Sequence, residues 1–474
     1  MPKGENARAR TQRDFFNNFE GGVAEDARDR IEIPFWKILK NVRIRDKKEL
    51  HGRPHAHSYL GLSSGQGIAC SHELTPIILS NGAVYVDGML KGSYTGSGDV
   101  SFDEALGKTV ITAGGAPFVW DGSTITALVH TDVKAVALAY GASKSRLFFV
   151  KNSEPRIIYY TTRGNWNDVG TYITDSEGNA DLKTEGGRIK GWSSDIVDIL
   201  EFQGDLVVFT KKGVFRLVFS AKEGLMYPTK RLVANVDVWN VKPIRFPTGI
   251  YFLNQLGPYF YSIGETGPFV APLPLQKNER AIQGELTESQ ASIGVDGARG
   301  LIFLKTANSA DIWVMHTFEN NVFTRWDLDF NDSKTINGKT YVTSSSGSFE
   351  LKDQGDGQNY YDITIRSGLN SFGSLIINKR MNNIGLLAHF SEKGSYYIGF
   401  LADCLSDVNF VPTKFPRKYS GPKNIGRIIR LDESVKNPFE VGAFHPSFRN
   451  YDEFILHDLY AVWLDKDARR EDSA

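Results

Sequence analysis

The sequence has few cysteines, no long apolar run and no excess of charge of either sign. Of its 474 residues, only Cys70 and Cys404 are cysteines, and neither has the spacing typical of metal ligands. We therefore expect two free thiols in a reducing compartment. No apolar run reaches the roughly 18 residues that a membrane helix needs, and the polar start lacks the apolar segment of a signal peptide. The sequence predicts a protein without a membrane span that is made in a cytoplasm.

The charge balance and the missing motifs exclude several function classes. The 55 basic and 55 acidic residues cancel, so no global charge attracts nucleic acid or an anionic membrane. The sequence contains no H-E-x-x-H motif, no phosphate-binding loop and none of the S-x-D-x-G-x-x-W boxes of sialidase-like propellers. We therefore predict a protein that is not an enzyme and that has no catalytic residue, no metal and no cofactor.

Glycine and aromatic residues are abundant instead, with 46 glycines and 12% Phe, Trp and Tyr. The stretch Thr109–Leu128 shows their arrangement most clearly, because three β-branched or aromatic segments alternate with Gly114-Gly115 and Asp121-Gly122. Such dipeptides suit tight hairpin turns, which need a positive φ. The stretch therefore predicts a three-stranded meander, which needs further sheets to bury both of its faces.

Hairpin signals of this kind recur along the chain. Seven turns, from Asn81-Gly82 to the turn at residue 347, are on average about 44 residues apart, which is the period of a four-stranded propeller blade. We therefore predict an all-β protein with a propeller of six to seven blades over residues 66–356. Two stacked β-sandwiches are the alternative. Residues 171–190 are polar and glycine-rich, and they predict a long loop between blades.

The two ends of the sequence differ from this repeat. Residues 1–65 are expected to form an N-terminal arm and platform segment, in which residues 35–39 would form a short helix after Pro34. Residues 357–474 alternate apolar and polar residues in several segments and predict a C-terminal antiparallel β domain with a mobile tail.

Several residues at these ends are candidates for contacts with partners. Aromatic residues on a polar arm can dock on another subunit or pack onto the arm's own domain, and the candidate subunit contacts are Phe15, Phe16, Phe19, Phe35, Trp36 and Arg53. Residues 414–430 are basic with interleaved aromatics, a pattern that also contacts phosphates, and the candidate nucleic-acid contacts are Lys414, Arg417, Lys418 and Arg427.

Two patterns resemble metal sites but are explained without a metal. His55 and His57 have the spacing of a metal pair, but no third ligand cluster lies near them in sequence. Asp175 and Asp181 belong to a segment like a calcium loop, but its twelfth position is Gly186 and not the bidentate glutamate of an EF-hand. Both are expected to be loop residues.

Short phrases between residues 15 and 360 resemble, in order, those of the tail nozzle proteins of short-tailed bacteriophages. The N-terminal phrases are Gly21-Gly22, Asn41-Val42-Arg43 and Leu50-His51-Gly52-Arg53-Pro54, in which His55 replaces the family's final glycine. The phrases in the propeller are Ala116-Pro117 to Asp121-Gly122, Ser145 to Phe148, Tyr159 to Thr161, Asn165-Trp166, Gly204 to Phe209, Tyr251 to Leu253 with Gly257 and Tyr259, Trp313 to Met315, and Thr324 to Trp326.

This resemblance implies a structural virion protein that assembles in the host cytoplasm. It implies a homo-oligomer, a ring of six subunits below the portal and the tail adaptor, or head-to-tail connector, that continues the DNA channel. The implied partners are the adaptor proteins, tail fibres or spikes, and genomic DNA that passes without sequence specificity. The alternatives are a monomeric glycan- or protein-binding propeller, in which Trp120, Trp192 and Trp239 would line a cleft, and a host-surface glycosidase.

Overall fold

The fold is known from a computed structural model that describes most of the chain in separate segments. The described residues are 11–15, 36–45, 49–139, 146–169, 173–174, 180–181, 186–222, 225–307, 311–353, 361–367, 379–390, 395–402, 417–418, 442–449 and 454–465. The predicted mobile tail, residues 466–474, lies outside them.

Six antiparallel four-stranded sheets and four antiparallel strands of a nine-stranded sheet form a seven-bladed β-propeller in the described part of the chain, which confirms the predicted fold class. Blades 1 to 3 consist of Gly67–Cys70, Pro76–Ser80, Ala83–Val86 and Met89–Ser93; Ser101–Ala105, Lys108–Thr112, Phe118–Trp120 and Ile125–Ala127; and Val133–Ala139, Arg146–Lys151, Ile158–Tyr160 and Gly187–Ile189. Blades 4 and 5 consist of Ile196–Phe202, Asp205–Thr210, Gly213–Lys222 and Leu225–Ala234; and Ile244–Phe246, Gly249–Asn254, Gly257–Gly264 and Gly267–Pro272. Blades 6 and 7 consist of Ser292–Asp296, Leu301–Lys305, Ile312–His316 and Val322–Trp326; and Asp332–Ile336, Lys339–Ser344, Gly347–Lys352 and His55–Ser58.

The last blade closes the ring with a strand from the start of the chain. His55–Ser58 pairs antiparallel with Gly347–Lys352 and supplies the fourth strand of blade 7. The propeller therefore includes residues that the sequence-based division assigns to the N-terminal segment. This pairing joins parts of the chain nearly 300 residues apart, so the ring cannot close until both are present.

Hydrophobic residues form seven clusters, one between each pair of neighbouring blades. The first strand of blade 3 shows why, because Ala135 and Ala137 pack towards blade 4 whereas Val136 and Leu138 pack towards blade 2. Side chains alternate between the two faces of a strand. A strand covered on both faces therefore has an almost continuous apolar sequence.

Tight turns connect many of these strands. Asn81-Gly82, Asp87-Gly88, Gln203-Gly204 and Asn337-Gly338 each place two successive residues at positive φ, as type I′ hairpins require. The predicted turn at Asn81-Gly82 is thus confirmed. Leu106-Gly107 has the same geometry, with φ of 54° at Leu106, where a leucine side chain meets steric strain.

Other strands lie outside the propeller and combine the two ends of the chain. Thr11–Phe15, Val42–Arg45, Glu49–Gly52 and Lys379–Phe390 share a sheet with Phe454–Asp465. Blade 6 is extended by Trp36–Lys40, Asp362–Ser367, Gly442–Arg449, Ser395–Ala402 and Arg417–Lys418. Ile173–Thr174 and Ala180–Asp181 form a small hairpin. The described helices are Gln276–Asn278 and Thr317–Glu319, both 3₁₀, and the α-helix Glu279–Glu285.

Three local predictions are wrong. His55 and His57, expected in a loop, lie in the fourth strand of blade 7 because this segment pairs with Gly347–Lys352. Residues 36–40 form a strand and not a helix, because they pair with Val322–Trp326 on one side and with Asp362–Ser367 on the other. Residues 187–189, predicted as part of a loop, form the fourth strand of blade 3. In all three places, pairing with a distant strand determines the structure.

Candidate functional site

A cavity lies on the propeller axis among the described residues. The first strands of most neighbouring blades contact one another around this axis, and the cavity lies where several of these strands begin. It has a volume of about 520 Å³, and its lining includes Gln66, Asp99, Asn240, Lys242, Asn331 and Asp332. A side pocket of about 120 Å³ shares Asp99, Asn240 and Lys242 with it and adds Ser101, Lys134, Asn152 and Asp198. The lining is polar and carries charges of both signs.

Two ion pairs bind basic and acidic side chains of different blades together near the axis. Lys242 Nζ lies 3.3 Å from Asp332 Oδ2, and this oxygen also accepts the N–H of Ile68 at 3.1 Å. Arg245 lies 3.5 Å from Asp103 Oδ1, and Asp103 Oδ2 accepts the N–H of Leu138 at 2.9 Å. These contacts join blades 5 and 7 and blades 5 and 2 across the axis.

Asp198 and Asp99 have no ion pair within salt-bridge distance among the described residues. Asp198 is 4% exposed; its Oδ1 accepts the N–H of Ile199 at 2.8 Å. Burial raises the pKa of Asp198 to about 6, although Lys242 and Lys134 oppose this effect. Asp99 is open to the cavity but surrounded by protein, and desolvation raises its pKa as well. Carboxyls in such surroundings are often functional.

The lysines of this region are also desolvated. Burial lowers the pKa of Lys134, which lies near the carboxylates of Asp198 and Asp195. Burial and repulsion by Lys242 lower the pKa of Lys334 to about 8. The Lys334 ammonium lies 5.0 Å from the centre of the Phe102 ring, a cation–π geometry. The axial region therefore holds acids and bases that can exchange protons or hydrogen bonds near neutral pH.

Arg53, a predicted subunit contact, is instead buried in a joint within the chain. Its side chain donates to Asn41 Oδ1 at 3.2 Å and to Asp327 Oδ1 at 2.9 Å, and its guanidinium lies 4.3 Å from the centre of the Tyr361 ring. Trp326 Nε1 donates to the Val42 carbonyl at 2.7 Å in the same region. The joint fixes the N-terminal strands to blade 6, so Arg53 is a structural residue and not an exposed contact.

The other sequence-predicted contacts are placed only in part. Phe15 is the last residue of its strand and lies opposite Tyr460. Trp36 is the first residue of the strand beside blade 6. Phe15 and Trp36 therefore belong to different sheets. Arg417 and Lys418 form a short strand beside Ser395–Ala402. The remaining candidates lie outside the described residues; they are Phe16, Phe19, Phe35, Lys414 and Arg427.

The tryptophans expected in a glycan-binding cleft are mostly part of the core. Trp120 and Trp192 are each 5% exposed and pack between blades, and Trp239 is half-buried against the cluster of blades 5 and 6. Trp120 is therefore a blade-building residue, and the cleft predicted for the glycan-binding alternative does not exist around Trp120 and Trp192.

Motif-like patterns do not form further sites in the described segments. There, no group of three or more His, Cys, Asp or Glu side chains could hold a metal ion. His55 is buried with its ring 4.7 Å from that of Tyr361, whereas the centre of the calcium-like loop, residues 175–179, lies outside the described chain. The string from Gly61 to Gly65 spells G-x-S-x-G, but it connects two strands and not a strand to a helix, so it is no nucleophile elbow.

No protein-family model matches the chain, and no curated protein matches it in sequence. Among solved structures, the chain is similar to the extracellular domains of a hybrid two-component system and of a one-component system from B. thetaiotaomicron. The identities are 11% and 8%, the TM-scores are 0.37 and 0.42, and the matches cover 81% and 84% of this chain. The chain spans 48% and 59% of those two. Dihydro-heme d1 dehydrogenase NirN matches 66% of the chain and 62% of its own length, at 12% identity and a TM-score of 0.35. At such TM-scores these similarities carry no argument about function.

The described helices are all short. None of them has the length and hydropathy that crossing a bilayer requires.

Proposed function

We propose that the chain is a structural virion protein, a tail nozzle subunit of a short-tailed bacteriophage. In this proposal six copies form a ring below the portal and adaptor, continue the DNA channel, help to retain packaged DNA and contact tail fibres or spikes. The ordered phrases between residues 15 and 360 carry the proposal. It assigns the chain a role in assembly and in passing DNA, without catalysis.

The way in which the chain ends combine supports a role in assembly. Thr11–Phe15 pairs with Phe454–Asp465, and Trp36–Lys40 pairs with Asp362–Ser367. The propeller therefore carries additional β-structure built from both ends of the chain, and one of these sheets continues blade 6. Such an addition offers surface for neighbours beyond the blades themselves.

The axial cavity is too small for DNA to pass through a single propeller, so the proposal needs a channel between subunits. A volume of about 520 Å³ is in the range of small-ligand pockets, roughly 300–1,000 Å³, and cannot admit duplex DNA. In a ring, DNA would pass along the axis of the assembly and not along the axis of one propeller. The balanced charge of 55 basic and 55 acidic residues is compatible with a wall along which DNA slides, because dense basic charge would hold it.

Reconstitution with the portal and adaptor proteins of the phage that encodes this chain tests the proposal. We expect sedimentation and negative-stain imaging to show a six-fold ring on the portal–adaptor complex. Replacement of Phe15, Phe16 and Phe19 by serine should reduce ring formation and leave the propeller folded. The control is Phe318→Ser, because Phe318 is an exposed aromatic of blade 6. A chain that stays monomeric beside both partners would refute the nozzle function, and turnover of a host polysaccharide would favour the glycosidase.

A further inference from the structure

The axial cavity contains hydrogen-bonding groups that the fold does not use. One oxygen of Asp198 accepts the N–H of Ile199, and the carboxylate lines the side pocket at 4% exposure. No other hydrogen bond to this carboxylate is made by the described residues. Its second oxygen is therefore an acceptor that the described residues leave unused. A folded protein gains nothing from a buried carboxylate left in this state, because desolvation is unfavourable.

Groups of the opposite sign surround this acceptor. Lys134 and Lys242 line the same pocket, together with Asn152 and Asn240. Lys242 is held by Asp332 at 3.3 Å, which uses one of the three donors of its ammonium group and leaves the others for the cavity. The side-chain nitrogen of Asn152 donates to the Gly114 carbonyl and to Asp132, which leaves the side-chain oxygen of Asn152 as an acceptor. Lys134 and Lys242 are therefore the donors of the pocket.

We propose that this cavity binds a small neutral polyhydroxylated molecule, a sugar or a polyol. A hydroxyl group donates to a carboxylate and accepts from an ammonium or amide, so one ligand of this class can satisfy both kinds of group at once. The proposal is independent of the nozzle function, because every residue involved belongs to the propeller of a single chain.

The arrangement of charges disfavours the other ligand classes. Asp99 and Asp198 would repel a phosphate or carboxylate ligand, and Lys134 and Lys242 would repel a metal ion or an organic cation. A neutral ligand avoids both repulsions. The main cavity extends this site by about 520 Å³ with further polar groups, including Gln66 and Asn331, which gives a sugar room beyond the side pocket.

A set of sugars that differ only in charge tests the class of ligand. Glucose, galactose and sucrose are titrated into the full-length protein at pH 7.5 and followed by saturation-transfer NMR and calorimetry. Glucose 6-phosphate and 6-amino-6-deoxyglucose, whose amine stays protonated at pH 7.5, serve as the anionic and cationic counterparts of glucose. We expect saturable binding of at least one neutral sugar and at least tenfold weaker binding of its charged counterparts. Tighter binding of a charged counterpart, or no saturable binding of any neutral sugar, would overturn the proposal.

Variants test the location of the site. Asp198→Asn and Lys134→Met should each weaken binding about tenfold, the value of one charge-assisted hydrogen bond. Glu265→Gln is the matched control, because Glu265 is an exposed carboxylate in the last turn of blade 5. Far-ultraviolet circular dichroism confirms that each variant is folded. Unchanged affinity in folded Asp198→Asn and Lys134→Met would show that the sugar binds elsewhere and would overturn the assignment.

Discussion

Replacement of the buried Asp198 should raise the free energy of unfolding, whereas most substitutions in a protein core lower it. Its pKa is about 6 in the folded protein, against an ordinary value of 3.8. The unfolded chain therefore releases this proton at a lower pH than the folded protein does. The stability that the protonated Asp198 contributes is therefore fully present below about pH 4 and is lost as the pH rises through 6.

The size of the effect follows from the same two values. The difference between about 6 and 3.8 corresponds to roughly 3 kcal/mol of lost stability at pH 8. Asp198→Asn removes the charge and keeps an oxygen that can accept the N–H of Ile199. The attraction of Lys134 and Lys242 is already included in the pKa of about 6. We expect the variant to be more stable than the original protein by about 3 kcal/mol at pH 8.

Chemical denaturation at pH 4.5, 6 and 8, followed by tryptophan fluorescence, measures this effect. The advantage of Asp198→Asn should grow with pH across this range. Asp195→Asn is the matched control, because hydrogen bonding to Arg156 lowers the pKa of Asp195; its removal should not stabilise the protein. If Asp198→Asn is no more stable at pH 8, the two lysines stabilise the ionised carboxylate and the reasoning is refuted.

Two further predictions concern a strained turn and a buried ion pair. Leu106→Asn should raise the stability by about 1 kcal/mol, because Leu106 is exposed and has a φ of 54° that asparagine tolerates better. Asn81→Leu, the opposite change in another turn, should lower the stability. Equal melting temperatures of the variants and the original protein would contradict this reasoning. Glu285→Gln should cost about 2–4 kcal/mol at pH 7, because the Glu285 carboxylate accepts from both terminal nitrogens of the buried Arg325. Burial alone would raise the pKa of Glu285, but Arg325 outweighs this effect and lowers the pKa. The stability lost in Glu285→Gln, measured by urea titration, should therefore shrink as the pH falls below 4. The control is Glu279→Gln, an exposed site, which should have little effect at any pH.

The propeller was predictable because its signals are local. Turns such as Asn81-Gly82 impose a hairpin on the residues beside them, and their spacing of about 44 residues indicates the blade period. The strand at residues 36–40 was missed because its pairing partner is remote in sequence. The strand at residues 187–189 was missed because a long insertion separates it from its partner, Ile158–Tyr160. The burial of Arg53 was not predicted for a related reason, since its contacts Asp327 and Tyr361 are more than 270 residues away in sequence.

The axial site had no comparable signal. Asp99, Lys134, Asp198 and Lys242 lie at the starts of different blades, so their spacing in sequence reflects blade length and not a chemical motif. On a single strand, a polar residue among apolar ones indicates a solvent-facing position. Here the first strands face the axis of a closed ring, where the same alternation places charges in an enclosed space. A cavity of this kind is therefore determined by the closure of the propeller, and its lining cannot be predicted before all seven blades are in place.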